Sequence, residues 1–341
     1  MSLKKADLIT LGKQTLKAAV SPSTSFSFNG ESYSYKELDN TLREELREMT
    51  SSYALWRENA NTIFELIEQA IDDVLPQKVL EQYGQFAEIK TFAQGQKPVF
   101  TQRITAASRR RAKQFVTKVG LAGVYEVFKL DGKSYEIPTT AFGGAAQIGF
   151  EEFLDGRVDF ADVLDIIMEG LDEAIYLEIE GALKSAVTSL QAANKTTQTA
   201  FVESKMDELV QIADSYGQAV IYCTYEFAAT MIPSTGWVSD AMRDRKWSNG
   251  YLGDYKGHKV VVLKQSYGDE TNTKKVIDPA YAWIIPTGGN DKPVKVAFEG
   301  QTIVREFENR DFSKEIQVYK KVGVGAIITN NICVYVNSSL S

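Results

Sequence analysis

The chain turns on one stretch, Val158–Ala192, which reads VDFADVLDIIMEGLDEAIYLEIEGALKSAVTSLQA. Leu164, Met168, Leu171, Ile175, Ile179, Ala182, Ala186 and Leu190 recur there at steps of three or four. That spacing lays an apolar stripe along one side of a helix. A helix over the whole stretch would be a rod about 50 Å long at about 1.5 Å per residue. The rod is acidic. From Glu151 to Glu180 there are eleven acids and one cation, Arg157, a net of −10. Acids in a first helical turn are favourable against the helix dipole, which accounts for Asp159 and Asp162. Asp165, Glu169, Asp172 and Glu173 continue the series for further turns. An excess of that size repels itself unless solvent or a cationic partner offsets it.

Immediately upstream the charge reverses. Residues 86–146 alternate in short runs (Phe92, Val99-Phe100, Gln114–Val119, Val124–Leu130, Tyr135–Ile137) split by Gly and Pro. Asp131-Gly132 sits between two such runs and predicts a hairpin turn. Between Lys90 and Lys133 there are ten cations against Glu126 and Asp131, a net of +8. Arg109, Arg110, Arg111 and Lys113 form its densest part. They read either as a solvated charge run or as a surface that meets an acidic partner or a phosphate backbone. A long acidic rod beside a basic β-rich excursion suits the joining of copies of a chain. Thr139–Ile148, TTAFGGAAQI, lies between the two and reads as a small, Gly-rich connector or hinge.

Further upstream, Met1–Val20 predicts a short amphipathic helix, with Leu8, Leu11, Leu16 and Ala19 on one side. No apolar core of signal-peptide length follows it. Ser21–Ser34 reads as an irregular connector. Tyr35–Leu75 predicts two helices broken near Thr50–Ser52 and stopped by Pro76. This region reads as a helical arm that docks on something else. Downstream of the rod the pattern is mixed. A helix is expected over Phe201–Tyr216, a strand over Ala219–Cys223 and a short helix over Glu226–Ile232. Pro233–Gly257 is expected to be loop, with Trp237, Trp247 and Tyr251 in it. Lys259–Leu263 and Tyr281–Ile285 read as strands. Val294–Phe298 and Gln301–Phe307 read as a hairpin around Glu299-Gly300, and Glu315–Ala326 and Ile332–Val336 as closing strands.

The 341 residues are 44% hydrophobic with a net charge of −7, enough for a sizeable core and unlike a nucleic-acid-binding chain. The two cysteines, Cys223 and Cys333, lie in apolar runs and read as small buried hydrophobes. The one histidine, His258, reads as an exposed turn residue, and no His-Glu-x-x-His or Gly-x-Ser-x-Gly motif is present. No phosphate-binding loop or Cys-x-x-Cys pair occurs, so no catalytic residue, metal or cofactor is expected. No run reaches the roughly 18 apolar residues of a membrane span.

The order of features, together with four stretches, resembles the major capsid protein of tailed bacteriophages with the HK97-type fold. The stretches are TTAFGGAAQIGFEEFLDGRVDFADVLDIIMEGL (Thr139–Leu171), YLGDYKGHKVVVL (Tyr251–Leu263), IDPAYAWIIPTGGNDKPVKVAFEGQT (Ile277–Thr302) and KEIQVYKKVGVGAIITNNICVYVN (Lys314–Asn337). The resemblance implies an α+β fold with an N-terminal arm over 1–85 and an extended β-hairpin, the E-loop, within 86–146. It further implies a P domain with its spine helix over 147–200, an A domain over 201–310 and a C-terminal return to the P domain over 311–341. Loops such as 233–250 would surround the five- and six-fold axes.

The same resemblance implies a subunit that assembles with itself into pentamers and hexamers of an icosahedral shell, in the virion and in the host bacterial cytoplasm. Implied partners are portal and scaffolding proteins and packaged double-stranded DNA bound without sequence specificity. An encapsulin-type compartment shares the fold and stays open as an alternative, as do a tail-tube protein and, behind them, an enzyme of unrecognised type. The residues themselves add a proposed contact between subunits. Arg109, Arg110, Arg111 and Lys113 of one copy would meet Asp159, Asp162, Asp165, Glu169, Asp172 and Glu173 of the next. The opposite arrangement, arginines facing the lumen and DNA, is the other option.

Overall fold

The computed structural model describes residues 5–20, 26–28, 31–84, 86–102, 133–148, 160–232, 239–263, 265, 267–269, 271–287, 292–308, 314–327 and 331–340. Two sheets carry the chain, beside a small antiparallel ribbon of β1 (Phe26–Phe28) and β2 (Glu31–Tyr33) where the sequence reads as an irregular connector. A four-stranded sheet has the order β3 (Ala87–Phe92), β12 (Val294–Glu308), β13 (Lys314–Ala326), β6 (Thr140–Ile148). A six-stranded sheet has the order β7 (Lys195–Gln198), β14 (Cys333–Asn337), β11 (Tyr281–Thr287), β8 (Gln218–Thr224), β10 (His258–Leu263), β9 (Asp254–Tyr255). The chain is α+β, as the resemblance implies.

The decisive stretch is helical over Phe160–Val187, here α4. Met168, Leu171, Ile175, Ile179 and Ala186 are buried as the stripe requires, and Leu183 takes the place read for Ala182. Leu190 is buried just beyond the helix end. α4 packs on β13 and β6. α3 (Tyr53–Tyr83) packs on β12 and β3 and touches α4.

The N-terminal helices are not an arm reaching elsewhere. α1 (Lys5–Val20) and α2 (Tyr35–Thr50) pack on α3, and Leu8, Leu11, Leu38, Leu42 and Leu46 enter the same core as Val296, Phe298 and Val318 of the four-stranded sheet. The break between α2 and α3 is made where expected, with the Ser52 hydroxyl accepting from Leu55 N–H as a new cap. Pro76, by contrast, does not stop α3, which runs seven residues further. Proline removes one helical N–H but tolerates helical φ. Here Val79 and Tyr83 beyond it are buried in the core, and their packing holds the helix together.

Three further expectations are corrected. Thr139–Ile148 is no connector. Its residues 140–148 form the edge strand β6, antiparallel to β13. Gly143 is explained by proximity, since a Cβ there would lie 2.8 Å from the carbonyl oxygen of Val318, whereas a Cβ on Gly144 would meet open space. Glu299-Gly300 does not turn a hairpin. β12 is continuous, and both of its halves pair with β13. Between the pairs Glu299↔Lys321 and Ile303↔Tyr319, three residues of β12 face Lys320 alone, a bulge with Gly300 at φ +69°. Within 233–257, α7 occupies Asp240–Asn249, capped by the Ser239 hydroxyl accepting from Met242 N–H.

The six-stranded sheet is buried on both faces, which explains its unbroken apolar runs. Ile221, Cys223, Ala282, Ile284, Cys333 and Tyr335 face α5 (Glu203–Asp214) and Phe227 of α6 (Tyr225–Thr230). Their neighbours Val220, Tyr222, Trp283, Ile285 and Val334 face the core shared with α4. The two cysteines are buried and unpaired, and burial pushes both thiols up to about 12. The sheets cut across the sequence divisions 201–310 and 311–341. β12 belongs to the four-stranded sheet, while β14 returns to the six-stranded one. Strand pairing over long separations, which no local pattern encodes, decides this.

Candidate functional site

The β-rich excursion leaves the four-stranded sheet after β3 and returns before β6. Its legs are β4 (Val99–Gln102) and β5 (Lys133–Glu136), antiparallel with Val99 opposite Glu136 and Gln102 opposite Lys133. The runs expected at 114–119 and 124–130, the Asp131-Gly132 turn, and Arg109, Arg110, Arg111 and Lys113 lie outside the described residues. The root of the ribbon has its own small core, in which Phe100 and Ile137 bury against Ala297, with Phe92 edge-on to Phe100. Lys90 sits over the Phe100 ring, and Lys97 and Glu136 pair across the legs.

Glu299 holds this root. One carboxylate oxygen accepts from the Gly95 N–H at 3.0 Å, the other from the Thr139 hydroxyl, and Lys321 lies 3.5 Å away. Thr139 first, then Gly95 and Lys321, keep its carboxyl below the usual range. On β3, Glu88 is bridged to Lys295 and Lys90. Partial burial would raise the Glu88 carboxyl, but the two ammonium groups outweigh it and hold it lower.

On α4 the acids divide. Asp159 lies outside the described residues, and Asp162 and Asp165 are placed only as positions in the helix. Glu169 is exposed and Glu173 half-buried. With them, on the side away from the core, stand Ile166 (68% exposed), Gly170, Leu177 (46%) and Gly181. A Cβ on either glycine would meet open space. Asp172 is engaged within its own subunit, 3.2 Å from Lys78 of α3 with both side chains mostly buried. Glu180 is buried too, accepting from Asp278 N–H and pairing with Lys184, which also bridges to Asp278. The sequence count of −10 therefore overstates the charge that the helix offers outward. Glutamate and aspartate on a buried side cannot be told from exposed ones until the partner element is known.

α7 stands where the sequence pattern predicts loop. Among its described side chains none is buried, and Trp247 is 93% exposed. A helix polar nearly all round carries no periodic signal, though its Ser239 cap followed by Asp240 was visible. His258 is not an exposed turn residue. It begins β10, its side chain is 20% exposed, and its Nε2 lies 3.4 Å from Asp214. Among the described residues no group of three or more His, Cys, Asp or Glu is placed to hold a metal ion. Nor is any described helix long and apolar enough to cross a membrane.

Residues 26–336 match a protein-family model described as "SPbeta prophage-derived putative capsid protein YonB". Comparison with curated proteins finds no match. Among solved structures, one from Microbacterium phage Oxtober96 superposes with a TM-score of 0.51 at 8% identity, over 73% of this chain and 88% of that one. The head structure of Helicobacter pylori bacteriophage KHP40 gives 0.49 at 13%, over 76% and 92%. The holo-SrpI encapsulin complex of Synechococcus elongatus PCC 7942 gives 0.46 at 10%, over 74% and 86%. At 8% identity the first of these shows a likeness of fold alone.

Proposed function

Because the chain belongs to the YonB capsid-protein family, it is a shell-forming structural protein of the HK97-type fold and not an enzyme, and we propose how its copies hold together. It is the major subunit of an icosahedral head that encloses double-stranded DNA, with portal and scaffolding proteins as further partners. The excursion rooted between β3 and β6 lies over the outer face of α4 on the neighbouring subunit. There Arg109, Arg110, Arg111 and Lys113 meet Asp159, Asp162, Asp165, Glu169 and Glu173, while Ile166 and Leu177 give an apolar seat. Asp172 contributes through Lys78, by fixing α4 to α3.

The observation that carries this reading is the outer face of α4, where two large apolar side chains stand exposed among acids on a helix otherwise bound into the core. One exposed ion pair contributes only about 0.2–1 kcal/mol. Repeated around closed rings, such contacts reach useful strength through avidity while letting misplaced copies leave. α7, with Trp247 at its surface, makes a second contact where A domains converge on the symmetry axes.

Charge reversal of Arg109, Arg110 and Arg111 to Glu, assayed by electron microscopy across a salt series, tests the pairing. The expected result is loss of shells at low salt. Shells of unchanged yield and salt dependence would count against it. Wild-type shells that carry a cargo protein and no DNA would count against the head assignment.

A further inference from the structure

Within the capsid reading, on which this inference rests, we propose that Glu299 is a positioning residue for assembly. Its carboxylate fastens both legs of the excursion to the sheet and thereby sets the direction in which the excursion leaves the subunit.

The geometry is that of one group serving two segments. β3 runs parallel to β12 and ends with Phe92 opposite Glu299. The chain then turns at 93–96, closed by Gln96 N–H donating to Ala93 O, with Gly95 at φ +78°. The Gly95 N–H from this outgoing leg takes one oxygen of Glu299, and the Thr139 hydroxyl from the returning leg takes the other. Glu299 is only 7% exposed, so these bonds are shielded from water. β13 is shaped to let the returning leg lie close. A Cβ on Gly323 would sit 2.6 Å from the Pro138 carbonyl oxygen, and one on Gly325 would sit 3.1 Å from Ile137 Cδ1.

The hydrophobic root of Phe92, Phe100, Ile137 and Ala297 joins the legs to each other and to the sheet, but apolar contact is non-directional. Ile137 N–H donating to Pro98 O and the Lys97–Glu136 pair are directional but join leg to leg, whereas the Glu299 carboxylate bonds both legs to the sheet. The bulge that follows at Gly300 separates this half of β12 from the half held by α3.

The test uses the full chain with Glu299→Ala and Glu299→Gln, read by amide hydrogen exchange and by shell yield in electron micrographs. Glutamine keeps an acceptor for Gly95 and a polar partner for Thr139. The expected result for Glu299→Ala is roughly tenfold faster exchange at Gly95, from loss of a bond to a charged acceptor. Exchange at Ile284 in the six-stranded sheet should stay unchanged, and well-formed shells should drop severalfold. Glu299→Gln should restore both readouts. Wild-type exchange at Gly95 and wild-type shell yield in Glu299→Ala would overturn the proposal. So would a Glu299→Gln protein that behaves like Glu299→Ala, since the effect would then belong to charge facing Lys321. If the wild-type chain forms no shells, the capsid reading falls by itself. Gly95 exchange still decides whether the anchor exists.

Discussion

The ammonium group of Lys320 lies 2.5 Å from the carboxylate of Asp72, under the bulge of β12 and with the lysine side chain 2% exposed. The bulge frees backbone groups that a regular ladder would have paired, and α3 and Lys320 take them up. Lys320 also donates to the Gly300 carbonyl, Asp72 accepts from the Thr302 N–H and hydroxyl, and Glu68, one helical turn earlier, accepts from Val304 N–H. Removing one partner of a buried pair leaves the other charge uncompensated. Lys320→Met is therefore expected to destabilise the subunit by about 3–5 kcal/mol. Urea unfolding followed by circular dichroism checks this, and a loss under ~1 kcal/mol would show that water replaces the lysine.

α4 is held along its described inner face from Met168 to Ala186, so a break in its middle should be felt throughout the core. Leu171 is buried there, and Leu171→Pro removes a helical N–H and clashes with the preceding turn, at a cost of about 3 kcal/mol or more. The expected outcome is loss of shells together with a lower unfolding midpoint, read by light scattering and thermal melts on the same sample.

Trp247 gives the opposite signature. At 93% exposure it contributes little to the isolated subunit, so Trp247→Ala should leave the melting temperature unchanged. Truncating a large aromatic anchor in an interface costs about 2 kcal/mol or more. A raised critical concentration for assembly is expected. An unchanged concentration would remove α7 from the contacts.

Acid should loosen the excursion. Glu299 and Glu88 both have carboxyls held below the ordinary range in the folded chain. A depressed folded value means that the stabilisation is complete above the unfolded carboxylate range, near pH ~4.3, and is lost as pH falls through the folded values. The difference in urea midpoint between wild type and Glu299→Ala should therefore be constant near neutrality and shrink below about pH 4. A difference independent of pH down to pH ~3 would show that Glu299 titrates normally.

Much of this was written locally in the sequence. The spacing of Met168, Leu171, Ile175 and Ile179 marks α4, and the unbroken apolar run through Val220–Cys223 is the signature of a strand buried on both faces. What misled was tertiary. Pro76 looked like a stop because the burial of Val79 and Tyr83 lies outside its own window. Gly300 looked like a turn because a bulge and a hairpin make the same local demand for positive φ. Asp172 and Glu180 looked like surface acids because their partners, Lys78 and Asp278, are far away in sequence. The basic cluster was legible as charge alone, and what it meets is a property of the assembled shell.

The most direct test of the account is a cryo-electron microscopy reconstruction of shells formed by the purified chain, at a resolution that shows side chains. The account predicts a closed icosahedral shell in which Arg109–Arg111 of one subunit lie within ion-pair distance of Glu169 and Glu173 of its neighbour, with Ile166 and Leu177 covered. A shell in which that face of α4 stays open to solvent while the arginines point into the lumen would contradict it.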